Sequence, residues 1–267
     1  MTTYYSNLLE QFKKISKEKW IKSINNDHGG VGMTFEHKLG KKSDSLFLPD
    51  YEGIELKCTT RYSNYPLYLF TIAFDGPTFP EINRLIKLYG HTDKNYKDKK
   101  VLYAKLNLIN PTIVNYKYKF ILTINKKEDK LYLKISQLND KLIEMKSFVY
   151  LSSIYDHVMI KLKKMAIIYA SKMQKNNEDY FRYYKISIYE LISYEKFIEA
   201  LEKGYICVDL IARISKSGIN SGKYKNKNLV FNIQKEYINE VFNKVYEYDD
   251  DTKKTRWTLL QNIKKNP

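Results

Sequence analysis

Residues 47–58, FLPDYEGIELKC, restrict the possible folds more than any other stretch. From Ile54 onward apolar and charged side chains alternate, Ile54 and Leu56 against Glu55 and Lys57. A period of two marks a β-strand with unlike faces. Ile54 and Leu56 are therefore expected in a core, with Glu55 and Lys57 projecting together on the other side. Asp50 follows Pro49, and Gly53 permits a bend or bulge that brings the Asp50 carboxylate toward Glu55. A strand that only had to pack would not carry an acid and a lysine two residues apart. Either this is an edge strand with a solvated face, or the charges are placed for chemistry.

Two converging carboxylates suit a hard divalent cation such as Mg²⁺, completed by waters and a substrate phosphate. An adjacent lysine orients or helps deprotonate an attacking water and offsets charge on a phosphorane-like transition state. Asp50, Glu55 and Lys57 thus suit phosphodiester hydrolysis. The same spacing also arises by chance in a chain rich in Lys and Glu. Pro49, the GIEL context and the upstream acid favour the chemical reading. Glu36, in MTFEHKLG, lies on a short helix and either points at the same pocket or sits on the surface.

The net charge of +16 favours a polyanionic partner. Part of that excess follows from a composition rich in Lys, Asn, Ile and Tyr, as an AT-rich genome encodes. The 25 tyrosines invite a base-stacking role, although strand and helix spacing assigns nearly all of them to packing. Hydrophobic content of 43% with 6 Pro and 10 Gly specifies a globular chain, one large domain or two small ones. No apolar run is long enough to span a bilayer, and the amphipathic N-terminus lacks the features of a signal peptide. Cys58 and Cys207 have neither zinc spacing nor the numbers for a disulfide framework, so the cytoplasm is expected. Cys58 points away from Lys57, toward the core. His28, His37, His91 and His157 are scattered without metal-ligand spacing, and GGVGMT lacks the GK[ST] of a P-loop.

Periodicity predicts helices over 4–24, within MTFEHKLG up to Gly40, over 80–89, over 153–173, and over 235–246. Another runs through SYEKFIEALEKG, with Ser193 as cap and Gly204 as stop. Strands are expected at IELKC, YPLYLFTIAFDG, 101–108, 117–125, KLYLKISQL, YICVDLIARIS and LVFNI, with NKKED as a hairpin turn. YFRYYKISIYELI reads as a strand running into a helix, and the last stretch as a peripheral turn and helix. The chain is a mixed α/β protein with a catalytic core and a second lobe.

GGVGMTFEHKLG followed by LPDYEGIELKCTTR resembles the opening of the MvaI/BcnI restriction endonucleases. They are relatives of the mismatch-repair nickase MutH in the PD-(D/E)xK nuclease superfamily. The resemblance is good in order and spacing over residues 29–75. It continues more weakly through HVMIKLKKMAIIYAS and FIEALEKGYICVDLIARI to NLVFNI. It implies a restriction-endonuclease-like core, a central mixed β-sheet flanked by helices, with a second, DNA-recognition lobe. The lobes are expected mainly at residues 1–150 and 151–267. It further implies a type II endonuclease that hydrolyses double-stranded DNA at a short specific sequence with Mg²⁺. Asp50 and Glu55 would ligate the metal, joined by the backbone carbonyl of Leu56. Lys57 would position the water, and Glu36 would support the site. A monomer is implied, with a cognate DNA methyltransferase as genetic partner. A MutH-like nickase, or a DNA-binding module with an inactive nuclease site, are the alternatives.

The chain departs from the family where similar members carry His and Arg, in GKYKNKNLVFNI. Here stand Lys225, Asn226, Lys227, Asn228 and Asn232. Arg213 remains in a matching place. Arg and Lys pair with guanine and Asn with adenine, so a different target is expected. Lys216, Lys223, Lys225 and Lys227 equally read as a basic loop touching phosphates alone. Arg61, just past the catalytic strand, is a phosphate contact or a surface residue.

Overall fold

The computed structural model describes residues 4–25, 29–41, 47–60, 63–216 and 220–257, without the side chains of 225–227 and 257. Along the chain come α1 (Ser6–Lys17), β1 (Ile21–Lys22), α2 (Gly30–Lys38), β2 (Glu55–Thr60) and β3 (Leu67–Ile72). Next are α3 (Glu81–Tyr89), β4 (His91–Thr92), β5 (Lys100–Leu106), β6 (Thr112–Val114) and β7 (Tyr118–Asn125). Then come β8 (Lys130–Gln137), β9 (Leu142–Glu144), β10 (Phe148–Tyr150), α4 (Leu151–Lys161), β11 (Lys164–Lys175) and β12 (Glu178–Leu191). The described chain closes with α5 (Tyr194–Glu202), β13 (Ile206–Ile214), β14 (Tyr224–Ile233), α6 (Ile238–Val241), β15 (Phe242–Asp249) and β16 (Lys254–Trp257). No helix among the described residues is long and apolar enough to cross a membrane.

Two compact units result. The first comprises residues 1–65, 160–192 and 242–267, and the second 66–159 and 193–241. The units are thus interleaved in sequence and do not follow the expected cut at residue 150. Long-range strand pairing overrides chain order here, because β2 finds its partner in β11 rather than in its sequence neighbours.

The first unit is built on a mixed sheet of order β16-β15-β12-β11-β2, with β1 added to β12. β2 lies at the end of that order and pairs in parallel with β11, Glu55 opposite Met165 and Thr60 opposite Ala170. The other pairs are antiparallel. The core gathers Leu8, Phe12 and Ile15 of α1 and Phe35 of α2 against Ile54, Leu56, Ile168 and Tyr183. Phe35 meets the Tyr183 ring at 5.1 Å, and the Tyr183 hydroxyl donates to the Val31 carbonyl at 2.7 Å, so α2 is fixed on the sheet.

Several expectations need correction in this unit. The helix foreseen over 153–173 ends at Lys161, and MAIIYA becomes the interior of β11. Met165, Ala166, Ile167 and Ile168 are all buried, and a short apolar run buried on both faces carries no period that separates helix from strand. YFRYYKISIYEL is strand throughout, joined to β11 by a turn in which Asn176 and Asn177 take φ of 52° and 62°. The first helix stops at Lys17, and the helix expected over 235–246 shrinks to a 3₁₀ turn plus α6 before β15 begins. The expected terminal helix is replaced up to Trp257 by β16, and residues 258–267 lie outside the described residues.

The second unit holds two sheets, β3-β14-β13-β5-β4 and β10-β8-β7-β6 with β9 on β8. Stacked Phe70 and Phe231, 4.7 Å apart, join β3 to β14, and Phe197 of α5 packs on Phe231. α5 matches its sequence signals: Ser193 Oγ accepts from the Lys196 amide at 3.2 Å, and Gly204 takes φ +72°.

On the sheet of the first unit, Glu247 pairs with Lys244 at 2.8 Å and Lys185 at 3.1 Å. Burial alone pushes the Glu247 carboxyl up, but the two lysines outweigh it and pull it down to about 2. A depressed carboxylate stabilises the fold above its unfolded titration range and loses that contribution as pH falls toward 2. Glu247→Gln is therefore expected to cost on the order of 1–2 kcal/mol at neutral pH after solvent screening. In urea titrations the gap from the unsubstituted protein should close as pH drops through the carboxylate range.

Candidate active site

Asp50 reaches β2 through a tight reversal. Tyr51 and Ile54 exchange both backbone hydrogen bonds, at 3.0 and 2.8 Å, around Glu52 and Gly53. Glu52 takes φ +47° and Gly53 φ +77°, the left-handed pair that closes a two-residue turn. The reversal returns Asp50 to the strand, where its Oδ2 accepts the Leu56 amide N–H at 3.0 Å. The bend foreseen at Gly53 is thus a hairpin turn rather than a bulge. Asp50 Oδ1 accepts from Lys41 Nζ at 2.8 Å.

Glu55 and Lys57 share a face of β2, as the alternation requires, and Lys57 Nζ donates to Glu55 Oε1 at 2.7 Å. The face is not solvated, since Glu55 is only 3% exposed. Lys161, at the end of α4, places a second ammonium 3.8 Å from the same oxygen. Glu55 Oε2 is buried with no hydrogen-bond partner among the described residues. A buried carboxylate oxygen left unpaired costs free energy, and a bound cation would offset that cost.

Glu36 lies half-buried on α2. Burial first, then the charge of Asp50, push its carboxyl above the usual range, and Glu55 adds to this while Lys41 and Lys57 oppose it. Glu36, Asp50 and Glu55 therefore feel one another electrostatically. Cys58 packs against the core as expected, its thiol pushed up by burial. Among the described residues no group of three or more His, Cys, Asp and Glu side chains is arranged to hold a metal ion. Mg²⁺ does not require one, because it binds through one or two carboxylates, a substrate phosphate and retained waters. The carboxylates of Asp50 and Glu55, with Glu55 Oε2 lacking a partner among the described residues, fit such an ion by their donor chemistry.

Lys41 and Lys161 escaped the sequence reading. Nothing local marks them, and only the tertiary fold brings them to Asp50 and Glu55. Arg61 and His28 lie outside the described residues.

In the second unit, the exposed Arg213 side chain stands 4.9 Å from the Tyr103 ring across β13 and β5. Lys216 and Lys223 stand at the two sides of the turn between β13 and β14, Lys223 and Lys216 both exposed. Lys225, Asn226 and Lys227 lie on β14 itself, Lys225 opposite Arg213, rather than in a loop. Their side chains lie outside the described set. Asp209, opposite the exposed Lys105, was also missed. Asp209 Oδ1 and Asn232 Oδ1 are buried and have no hydrogen-bond partner among the described residues. Burial pushes the Asp209 carboxyl up, opposed by Lys105 and Arg213.

A Cβ at residue 53 would sit 2.8 Å from the Tyr4 hydroxyl, on a backbone with φ +77°. Gly53→Ala is therefore expected to cost about 1–2 kcal/mol in urea unfolding. It should also lower activity beyond the loss of folded protein, because the turn it strains delivers Asp50.

The fold recurs among solved structures. The fold matches the solved restriction endonuclease MvaI–cognate DNA substrate complex with a TM-score of 0.85 at 24% identity, over 91% of this chain and 98% of that one. It matches MvaI in the absence of DNA with a TM-score of 0.56 at 25% identity, over 91% and 97%. No curated protein matches the sequence. The MvaI/BcnI restriction endonuclease family matches residues 9–242. With most of its length matched and the expected mixed α/β fold present, the chain belongs to the MvaI/BcnI restriction endonuclease family.

Proposed function

We propose that this type II restriction endonuclease hydrolyses double-stranded DNA with Mg²⁺ at Asp50, Glu55 and Lys57. The observation that carries the reading is Glu55, buried beside two lysines with one carboxylate oxygen unpartnered among the described residues. Asp50, Glu55 and the Leu56 carbonyl hold the metal. When bound, the ion supplies Lewis-acid stabilisation of charge developing on the scissile phosphate. Lys57 orients the water whose oxygen attacks phosphorus while the bond to the leaving oxygen breaks. Glu36, its carboxyl raised by burial and neighbouring acids, is poised to hold a proton near that water.

Recognition falls to the second unit. Arg213, Lys216, Lys223, Lys225, Asn226 and Lys227 lie on or between two adjacent strands and supply phosphate and base-edge contacts. Arg61 adds a phosphate contact beside the catalytic strand. With a catalytic and a recognition unit in one chain, the enzyme acts as a monomer in the cytoplasm. Its genetic partner is a methyltransferase that protects the host's own sites.

Lys57→Ala should abolish Mg²⁺-dependent cleavage of supercoiled plasmid while DNA retention in a gel shift persists; undiminished cleavage would remove the mechanism. Linear product identifies double-strand cutting, whereas accumulation of open circles would assign a nickase. Nonspecific affinity, driven by the +16 charge, should fall about 10³-fold between 50 and 200 mM salt. A flat response in fluorescence anisotropy would rule out a dominant phosphate-contact contribution.

A further inference from the structure

Lys41 has a fixed root and a long arm. It follows Gly40, which ends α2 with φ +75°, and the Lys41 amide N–H donates back to the Glu36 carbonyl at 3.0 Å. That six-to-one bond is the helix-ending motif that a left-handed glycine makes possible. The backbone of Lys41 is thereby tied to the turn of α2 that carries Glu36. Its side chain runs to Asp50 Oδ1 at 2.8 Å, with both side chains largely buried, 14% and 21% exposed.

Asp50 Oδ2 is already taken by the Leu56 amide, so Lys41 occupies the remaining oxygen. Glu55 differs: Lys57 and Lys161 both approach Oε1, and Oε2 has no partner among the described residues. Three carboxylates, Glu36, Asp50 and Glu55, thus face three ammonium groups, Lys41, Lys57 and Lys161. A divalent cation at Asp50 competes with the ammonium already bound there, and that ammonium has to yield. Lys57 stands on the same strand face as Glu55 and shares its register. Lys41 sits on the very oxygen that Asp50 would offer.

We propose that Lys41 is the internal counter-ion of the catalytic centre: it holds Asp50 Oδ1 in the metal-free protein and releases it to a divalent cation, its ammonium then turning to a DNA phosphate. This rests on the reading of Asp50 as a metal ligand. Lys41 is a positioning residue with two stations, between which its flexible four-carbon stem swings. In the first it keeps a largely buried carboxylate paired and the acids from repelling one another. In the second it adds a cation to the backbone of the substrate.

The two stations make opposite contributions, which a merely structural role would not. Lys41→Met removes the competitor for Asp50. Mn²⁺ binding by the full chain without DNA, measured by titration calorimetry, should tighten about tenfold, as a competing ion pair is lost. The same variant should cleave DNA more slowly at saturating Mg²⁺, and Lys41→Arg should recover part of both properties. Lys41→Gln, which keeps a polar tip, serves if the methionine variant melts early. Unchanged or weaker Mn²⁺ affinity in both Lys41→Met and Lys41→Gln would overturn the proposal while leaving the metal site in place. Undiminished Mn²⁺ binding by Asp50→Asn would instead remove Asp50 as a ligand, and the proposal with it.

Discussion

Because Glu52 and Gly53 both take positive φ, the chain reverses within four residues, and the Asp50 carboxylate meets the Leu56 amide on the strand it precedes. The Leu56 N–H, on a strand at the end of its sheet, finds its acceptor in a carboxylate. The bond ties a loop acid to the register of β2. Since β2 pairs in parallel with β11, the register is in turn set by the sheet. A shift of one residue in that ladder would send Glu55 and Lys57 into the core and Leu56 out of it. Ile54 and Leu56, both buried in the core of the first unit, make such a slip costly. Hydrophobic burial on one face thus sets the positions of charges on the other.

The centre gathers ionisable groups where water is scarce, and isolated buried charges are costly. Opposite charge at short range offsets that cost for Asp50 and Glu55, whose lysine partners stand at 2.8 and 2.7 Å. Glu36 is treated differently. It stands among acids, and its carboxyl titrates higher as a result of burial and their charge. Burial and the neighbouring acids thus act together against the ionised form of Glu36.

The sequence was most legible where local rules acted alone. The alternation in IELKC, the cap at Ser193 and the stops at Gly40 and Gly204 reappear in the structure as read. The bend at Gly53 was legible too, although its form as a two-residue turn depended on Glu52 joining it in the left-handed region. Legibility failed where burial was complete. MAIIYA has no charged residue to betray its period, and Lys163 and Lys164 before it gave no stop for α4. The site divided in the same way. Asp50, Glu55 and Lys57 lie close in sequence and could be grouped by spacing. Lys161 lies far along the chain and is brought in by the sheet, while Lys41 depends on a side chain reaching across a gap that spacing does not define. Asp209 hid within an apolar strand, and its burial opposite Lys105 is set by the sheet.

The interleaving of the two units carries its own consequence. The segment 66–159 of the second unit is inserted between two parts of the first, and 193–241 between the second and third. Neither unit is a continuous stretch that could be cut out at one joint and exchanged for a relative's. Lineages of such enzymes that acquire new targets have little scope for swapping modules wholesale. Change that leaves the fold intact is confined to single positions within each segment.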